Sequence, residues 1–204
     1  MKEQSYDILF NIKTIKEQKG FNNSFHYYRY EPTPYAALEE FFQNYQVNSN
    51  DRIVDFGCGK GRLNFFIHYF FGASVVGVEM NQEFYQEALE NRKNYQKKIG
   101  NNDSEIIFYC GLAEEYRIDP RENKFYFFNP FSVKIFMKIV DNILYSYEVA
   151  PRDIEIILYY SSDDYVYYLE QHPMFTFVRE IKLSGIYQHN MYERFLIFRL
   201  GNYW

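Results

Sequence analysis

An α/β fold, a mostly parallel sheet with helices on both faces, is what this sequence predicts, and three observations carry it. The first is V-D-F-G-C-G-K-G-R, from Val54 to Arg62. An apolar, β-prone run (Ile53, Val54, Phe56) leads into glycines at alternate positions, Gly57, Gly59 and Gly61, and a helix-length apolar segment follows from Leu63 to Phe71. Strand, glycine loop and helix is the order by which an open α/β sheet holds a nucleotide-like ligand at the carboxyl ends of its strands. Glycine serves there because backbone N–H groups must approach the ligand at positive φ with no Cβ in the way. The second observation is that the next apolar strand, S-V-V-G-V-E, ends in Glu79. Such sheets place an acid about 20 residues past the glycines, where it takes the two hydroxyls of a ribose. The third is that apolar strands alternate with amphipathic helical stretches through the rest of the chain.

Composition narrows the class. The 204 residues suit one domain with a full-sized core, preceded by an extension over residues 1–50. With 24% charged residues the chain is no disordered polyelectrolyte, and a net charge of -5 disfavours a broad nucleic-acid-binding face. Aromatic residues reach 22%, mostly Tyr and Phe, enough to line core edges and a pocket mouth with amphipathic rings. The two cysteines, Cys58 in the glycine loop and Cys110 at a strand end, have no metal-ligand spacing, so no metal site and a reducing compartment are expected. The opening M-K-E-Q-S-Y-D has no signal-peptide core, and the apolar run from Phe65 to Phe71, which includes His68, is too short to span a bilayer. A soluble, cytoplasmic protein is expected.

Taken in order, residues 1–30 show weak periodicity and end in F-H-Y-Y-R-Y. In E-P-T-P-Y, Thr33 suits a helix N-cap and Pro34 the first helical position, with Leu38, Phe41, Phe42 and Tyr45 on one face. The first strand, glycine loop and first helix come next, Gly72 closing that helix. Asn81 caps a helix from Gln82 to Ile99 whose Lys97-Lys98 pair complements its dipole. The third strand, E-I-I-F-Y-C, leads to G-L-A-E-E, and the fourth, F-Y-F-F, to N-P-F-S. Ser132 caps a helix with Val133, Phe136, Met137, Val140, Leu144 and Tyr147 on one face. A fifth strand (Ile154 to Tyr160), a short helix stopped by Pro173, and two strands (Phe175 to Leu183, Tyr192 to Leu200) complete the chain.

The glycine spacing is G-x-G-x-G rather than the G-x-G-x-x-G that seats a pyrophosphate, and Asp55 stands two residues ahead of it. An acid facing that loop suits a ligand with an ammonium group and no phosphate. With Asp55, the motif D-x-G-x-G-x-G resembles motif I of the class I S-adenosylmethionine-dependent methyltransferases. The resemblance runs from about Asp51 to Leu200. It implies a Rossmann-like domain over residues 51–204, with a seven-stranded, mostly parallel sheet whose last strand is antiparallel. It also implies S-adenosyl-L-methionine as cofactor: Asp55, Gly57, Cys58, Gly59 and Gly61 around the methionine part, Glu79 and Met80 at the ribose, and the strand-three loop at the adenine. The family usually keeps an acid just after that loop's glycine; here the position is Leu112. Backbone groups of Leu112 and Ala113, or Glu114 one turn on, would then hold the adenine. Several members have a Y-x-P-T-P lead-in near the cofactor, which makes residues 1–50 an extension with a lid helix and Tyr28, Tyr30 and Thr33 candidate ligand contacts.

N-P-F similarly resembles the N-P-P-Y or N-P-P-F of methyltransferases acting on planar amino groups, with one proline fewer. That resemblance makes Asn129 and Pro130 the acceptors of the amino hydrogens and Phe131 the stacking face, so that orientation and electrostatics do most of the work. Asn-Pro is also an ordinary strand-to-turn junction. An oxygen or carbon acid as target would instead need a general base, with His189, Glu193 and His26 as candidates; His68, inside an apolar helix, reads as a core residue. The expected activity is methyl transfer to a nitrogen of a small molecule or protein side chain. The alternatives are a cofactor-binding sensor without turnover, and a nicotinamide-dependent oxidoreductase, which the glycine spacing and Asp55 disfavour.

Overall fold

A computed structural model describes residues 2–15, 31–100 and 104–201. In chain order these form α1 (Lys2–Phe10), α2 (Tyr35–Asn44), β1 (Arg52–Phe56), α3 (Arg62–Phe71), β2 (Ser74–Glu79), α4 (Gln82–Ile99), β3 (Ile106–Cys110), a 3-10 turn (Ala113–Glu115), β4 (Lys124–Phe127), α5 (Val133–Val149), β5 (Ile154–Tyr159), α6 (Asp163–Gln171), β6 (Phe175–Lys182) and β7 (Arg194–Leu200). The strands build one seven-stranded sheet in the order β3-β2-β1-β4-β5-β7-β6. Pairings from β3 to β5 are parallel, and β7 runs antiparallel to both β5 and β6. This is the class I methyltransferase sheet expected from the sequence. The strand order reverses at β1, which pairs β2 on one side and β4 on the other, so a crevice opens beyond the carboxyl ends of β1 and β4.

Both faces of the sheet are covered, which is why the inner strands read as nearly continuous apolar runs. On one face Ile53, Val75, Tyr126, Ile157 and Ile197 pack under α1, α2, α3 and α4, through Phe10, Tyr35, Leu38, Phe41, Phe65 and Tyr95. On the other, Val54, Phe56, Val76, Phe125, Ile156 and Phe198 meet α5 and α6 through Phe136, Ile139, Ile143 and Leu169. Strand alternation therefore sends Asp55 to the α3 side, between Gly77 and Tyr126 in register. Phe41 of α2 stacks on Phe195 of β7 at 4.3 Å, which places α2 in the core layer.

Several local readings differ in detail. α1 was not expected; after Phe10 the chain turns at Asn11, whose φ of 58° is a left-handed conformation that asparagine tolerates, with Ile12 N–H donating back to Asp7 O at 2.9 Å. Thr33 does not cap α2. Pro34 holds the N-cap position in extended backbone, and the Thr33 hydroxyl is spent on the Tyr126 hydroxyl, 2.8 Å away. Asn81 caps α4 as expected, its side chain accepting from the N–H groups of Glu83 and Phe84. α3 is bounded by two left-handed glycines, Gly61 and Gly72. β7 begins at Arg194 rather than Tyr192, and β5 stops at Tyr159 because Tyr160 turns to φ 49°. His26, Tyr28 and Tyr30 lie outside the described residues.

Candidate active site

The glycine loop is stitched to β2 along its inner wall. The N–H groups of Gly57 and Cys58 donate to Val78 O at 2.9 and 3.1 Å, and the loop closes on itself through Gly61 N–H and Cys58 O at 2.9 Å. Gly57, Gly59 and Gly61 all take positive φ, of 80°, 54° and 84°. At Gly57 a Cβ would also stand 2.7 Å from Cβ of Pro130, so the loop after β1 and the N-P-F corner after β4 touch at a point where only hydrogen fits. The structure thus brings together two motifs 73 positions apart, Gly57 and Pro130.

Asp55 and Glu79 meet in the same crevice. Glu79 is buried, with Oε2 accepting from Gly59 N–H at 2.9 Å and Oε1 from Asn81 N–H at 2.7 Å, so its carboxylate is oriented by the loop and by the start of α4. Burial raises its pKa, and the N–H groups of Asn81, Gly59 and Met80 pull it back. Asp55 is 5% exposed, and its pKa is pushed up to about 8, first by burial and then by the charge of Glu79. The Cys58 thiol is raised for the same reasons: burial first, then Asp55 and Glu79. Two buried carboxyls at one place form a site that favours a positively charged group and hydroxyl donors.

The residues that follow β2 and β3 are apolar. Met80 and Leu112, at the ends of β2 and β3, are each 36% exposed although large and apolar, while Ala113 is buried at the head of the 3-10 turn.

At the carboxyl end of β4, Asn129 and Pro130 are half-buried, and Asn129 takes φ 41°. Its Oδ1 accepts a long, 3.4 Å hydrogen bond from Ser162 N–H. The ring of Phe131 is 3% exposed, within the core beneath the corner. Tyr165 clamps that residue in place: its hydroxyl donates to Phe131 O at 2.7 Å and accepts from Phe131 N–H at 3.2 Å. The aromatic face expected from Phe131 is thus buried in the core, with the tip of the ring 3.8 Å from where a Cβ on Gly57 would stand. The half-buried rings at this corner are Phe128 and Tyr160. Tyr160, like Asn129 in the left-handed region, has its hydroxyl held by Asn190 Nδ2 at 2.9 Å.

The remaining candidates separate. Glu193 accepts from the Tyr159 hydroxyl at 2.7 Å, His189 is exposed on the β6–β7 connection, and His68 is buried with Nδ1 2.9 Å from the Tyr95 hydroxyl, as a core residue should be. Among the described residues no group of three or more His, Cys, Asp or Glu is placed to hold a metal, and no helix is long and apolar enough to cross a membrane. Sequence reasoning missed three buried polar residues around the loop: Lys60, Arg62 and Asn64. The available signal was a cationic side chain opening a helix, where the dipole disfavours it.

Comparisons with known proteins agree with this fold. A family model described as a methyltransferase domain matches residues 34–110, the span that holds α2, the glycine loop, Glu79 and β3. A solved RNA methyltransferase from Salinibacter ruber, in complex with S-adenosyl-L-homocysteine, superposes with a TM-score of 0.60 at 18% identity, covering 85% of this chain and 96% of that one. The chain has the class I methyltransferase fold. Two curated methyltransferases are related in sequence. A sterol 24-C-methyltransferase of Kluyveromyces lactis is 30% identical over 122 residues, 57% of this chain and 31% of that protein. A protein-lysine N-methyltransferase of Saccharolobus islandicus is 36% identical over 63 residues, 30% of this chain and 39% of that protein. The chain thus spans about a third of the length of the first relative and about two fifths of the second.

Proposed function

We propose that this chain is an S-adenosylmethionine-dependent methyltransferase whose acceptor is a nitrogen atom. The observation that carries the reading is the convergence of Asp55, Glu79 and the glycine loop on one crevice, which touches the Asn129-Pro130 corner through Gly57. The cofactor fits what lines that crevice. Asp55 would take the ammonium of the methionine part, a positive charge that offsets the burial and the Glu79 charge acting on its carboxyl. Glu79 would accept from the ribose hydroxyls while keeping the orientation that Gly59 and Asn81 give it. Met80 and Leu112 would sandwich the adenine, with Ala113 presenting backbone groups to its edge.

When bound, the cofactor would supply a methyl carbon made electrophilic by the sulfonium, with a thioether as the leaving group for transfer to the acceptor nitrogen. The chain's own part is to orient the acceptor. Asn129 Oδ1 and Pro130 O would accept the acceptor's N–H hydrogens and aim the nitrogen lone pair along the C–S axis, a gain of positioning rather than of base strength. The proton then leaves the alkylated nitrogen for water. Phe131 would support Pro130 from below, and the ring face available to a planar acceptor passes to Phe128 or Tyr160. The lysine-nitrogen relative supports nitrogen as the target atom, and a small molecule or protein side chain suits the acidic total better than nucleic acid.

Calorimetric titration with S-adenosylhomocysteine tests the reading. The wild type should bind and Glu79→Ala should bind at least about tenfold more weakly, the loss expected for a charge-assisted hydrogen-bond acceptor. Absence of binding to the wild type would end the proposal. With radiolabelled cofactor and cell extract, Asn129→Ala should then lower methyl incorporation; unchanged incorporation would remove Asn129 from the mechanism.

A further inference from the structure

We infer that Arg62 is a positioning residue for the cofactor: through it, residues 3–14 and the Thr33–Tyr35 turn fasten the outer wall of the glycine loop and so set cofactor affinity. The inference rests on the methyltransferase reading for the identity of the ligand, and on the following geometry for the rest.

Arg62 is the first residue of α3, directly after Gly61, and it is 4% exposed. A cation there opposes the positive end of the helix dipole and is dehydrated as well, so its place must be held by strong partners. It has them. Nε donates to Thr14 Oγ1 at 2.8 Å, Nη1 pairs with Glu3 Oε2 and also reaches Thr33 O at 3.2 Å, and the guanidinium lies 4.4 Å from the centre of the Tyr35 ring. The partners are themselves tied together. Glu3 Oε1 accepts from Tyr35 N–H at 2.8 Å; buried Asp7 accepts from Thr14 N–H at 2.6 Å, from the Thr14 hydroxyl at 2.7 Å and from the Tyr35 hydroxyl at 2.8 Å.

Two residues earlier, at Lys60, the same side of the loop is fastened again. Asn91 of α4, 4% exposed, donates to Lys60 O at 3.1 Å and accepts from Lys13 N–H at 2.9 Å, and Lys60 Nζ pairs with Glu87 at 2.9 Å. The inner side of the loop faces Val78 O and the Glu79 carboxylate, the outer side faces this clasp. The clasp also reaches the crevice by a second route, since Thr33 is bonded to Tyr126, the register neighbour of Asp55. Releasing Arg62 would therefore free, on its outer side, the three-glycine bend that orients the Glu79 carboxylate through Gly59 N–H.

The test uses the whole chain. Arg62→Met removes the fork, Arg62→Lys keeps the charge without it, and Arg152→Met is the control: Arg152 is tied to Glu122 O, Ser146 and Ala150 O, on the opposite side of the sheet from the clasp. Two readouts are taken below the thermal midpoint of every variant: S-adenosylhomocysteine affinity by calorimetry, and amide hydrogen exchange over residues 3–14 and 57–63. Expected are a loss of affinity of tenfold or more in Arg62→Met, a smaller loss in Arg62→Lys, and less than a twofold change in Arg152→Met. In the free protein, loop amides should exchange faster in Arg62→Met than in the control, and ligand should slow exchange over residues 3–14 in the wild type only. Equal affinities and equal loop exchange in Arg62→Met and wild type would overturn the inference, as would an equal loss in Arg152→Met. If the wild type does not bind the ligand, the functional reading falls, and loop exchange alone decides whether Arg62 positions the loop.

Discussion

Protons should compete with the cofactor for one group, Asp55. In the free protein its pKa stands at about 8, raised by burial and then by the charge of Glu79. An ammonium docked beside it favours the carboxylate and lowers that value, so binding expels a proton wherever the free group still holds one. At pH 6, two units below the free pKa, about 1% of the sites are ionised, and affinity should be about 100-fold below its high-pH limit; at pH 7 the deficit is about tenfold, or about 1.4 kcal/mol. The assay is calorimetry with S-adenosylhomocysteine at pH 6, 7 and 8, in buffers of different ionisation enthalpy. About one proton should be released per ligand at pH 6 and about half a proton at pH 8. Asp55→Asn should bind weakly with no such slope. Stability of the free fold runs the other way. The folded pKa lies above the ordinary value of 3.8, so this contribution is complete below about pH 4 and is lost as pH rises to about 8, by up to about 5 kcal/mol. Asp55→Asn should therefore be the more stable protein at pH 8. A wild-type affinity flat from pH 6 to 8, without buffer-dependent heat, would refute the reasoning.

Three further outcomes are expected. Gly57→Ala puts a Cβ 2.7 Å from Pro130 on a residue at φ 80°, and should cost about 2 kcal/mol, about 5 °C in thermal midpoint by calorimetric scanning, together with ligand binding. Asn64 is 1% exposed and neither atom of its amide has a hydrogen-bond partner, so Asn64→Leu should raise stability by about 1–3 kcal/mol in urea melts; a loss would show that the amide is bonded in solution. Phe131→Ala should cost about 3–5 kcal/mol in the same melts, as a buried core ring does, and a near-neutral result would return Phe131 to the exposed stacking role.

Much of this architecture could be read before any coordinates. The glycine loop, Asp55 and Glu79 were legible because ligand geometry constrains both residue type and spacing there, and β1 and β2 because strands covered on both faces leave unbroken apolar runs. α1 was not. K-E-Q-S-Y-D-I-L-F has little periodicity of its own, and its helix is supported by contacts from afar, Tyr6 stacking on Tyr35 and Asp7 bonding to Thr14 and Tyr35. Thr33 and Phe131 were misread for one shared reason. Each sits at a junction where local chemistry allows two fates, cap or tertiary hydrogen bond, stacking face or core, and partners far along the chain, Tyr126 and Tyr165, decide between them. The partners of Arg62 were not legible, because they come from three segments, although a cation opening a helix was itself a signal.

The two thiols give this molecule a built-in clock. Cys110 is open to reagent, whereas the sulfur of Cys58 is shut inside the bend and packed so closely on β2 that a methyl at Gly77 would lie 2.6 Å from it. A thiol-reactive dye should label the first site at once and the second only when the bend swings away from the sheet. The lag between the two labels then measures how often an undisturbed molecule opens, with no mutation and no substrate required.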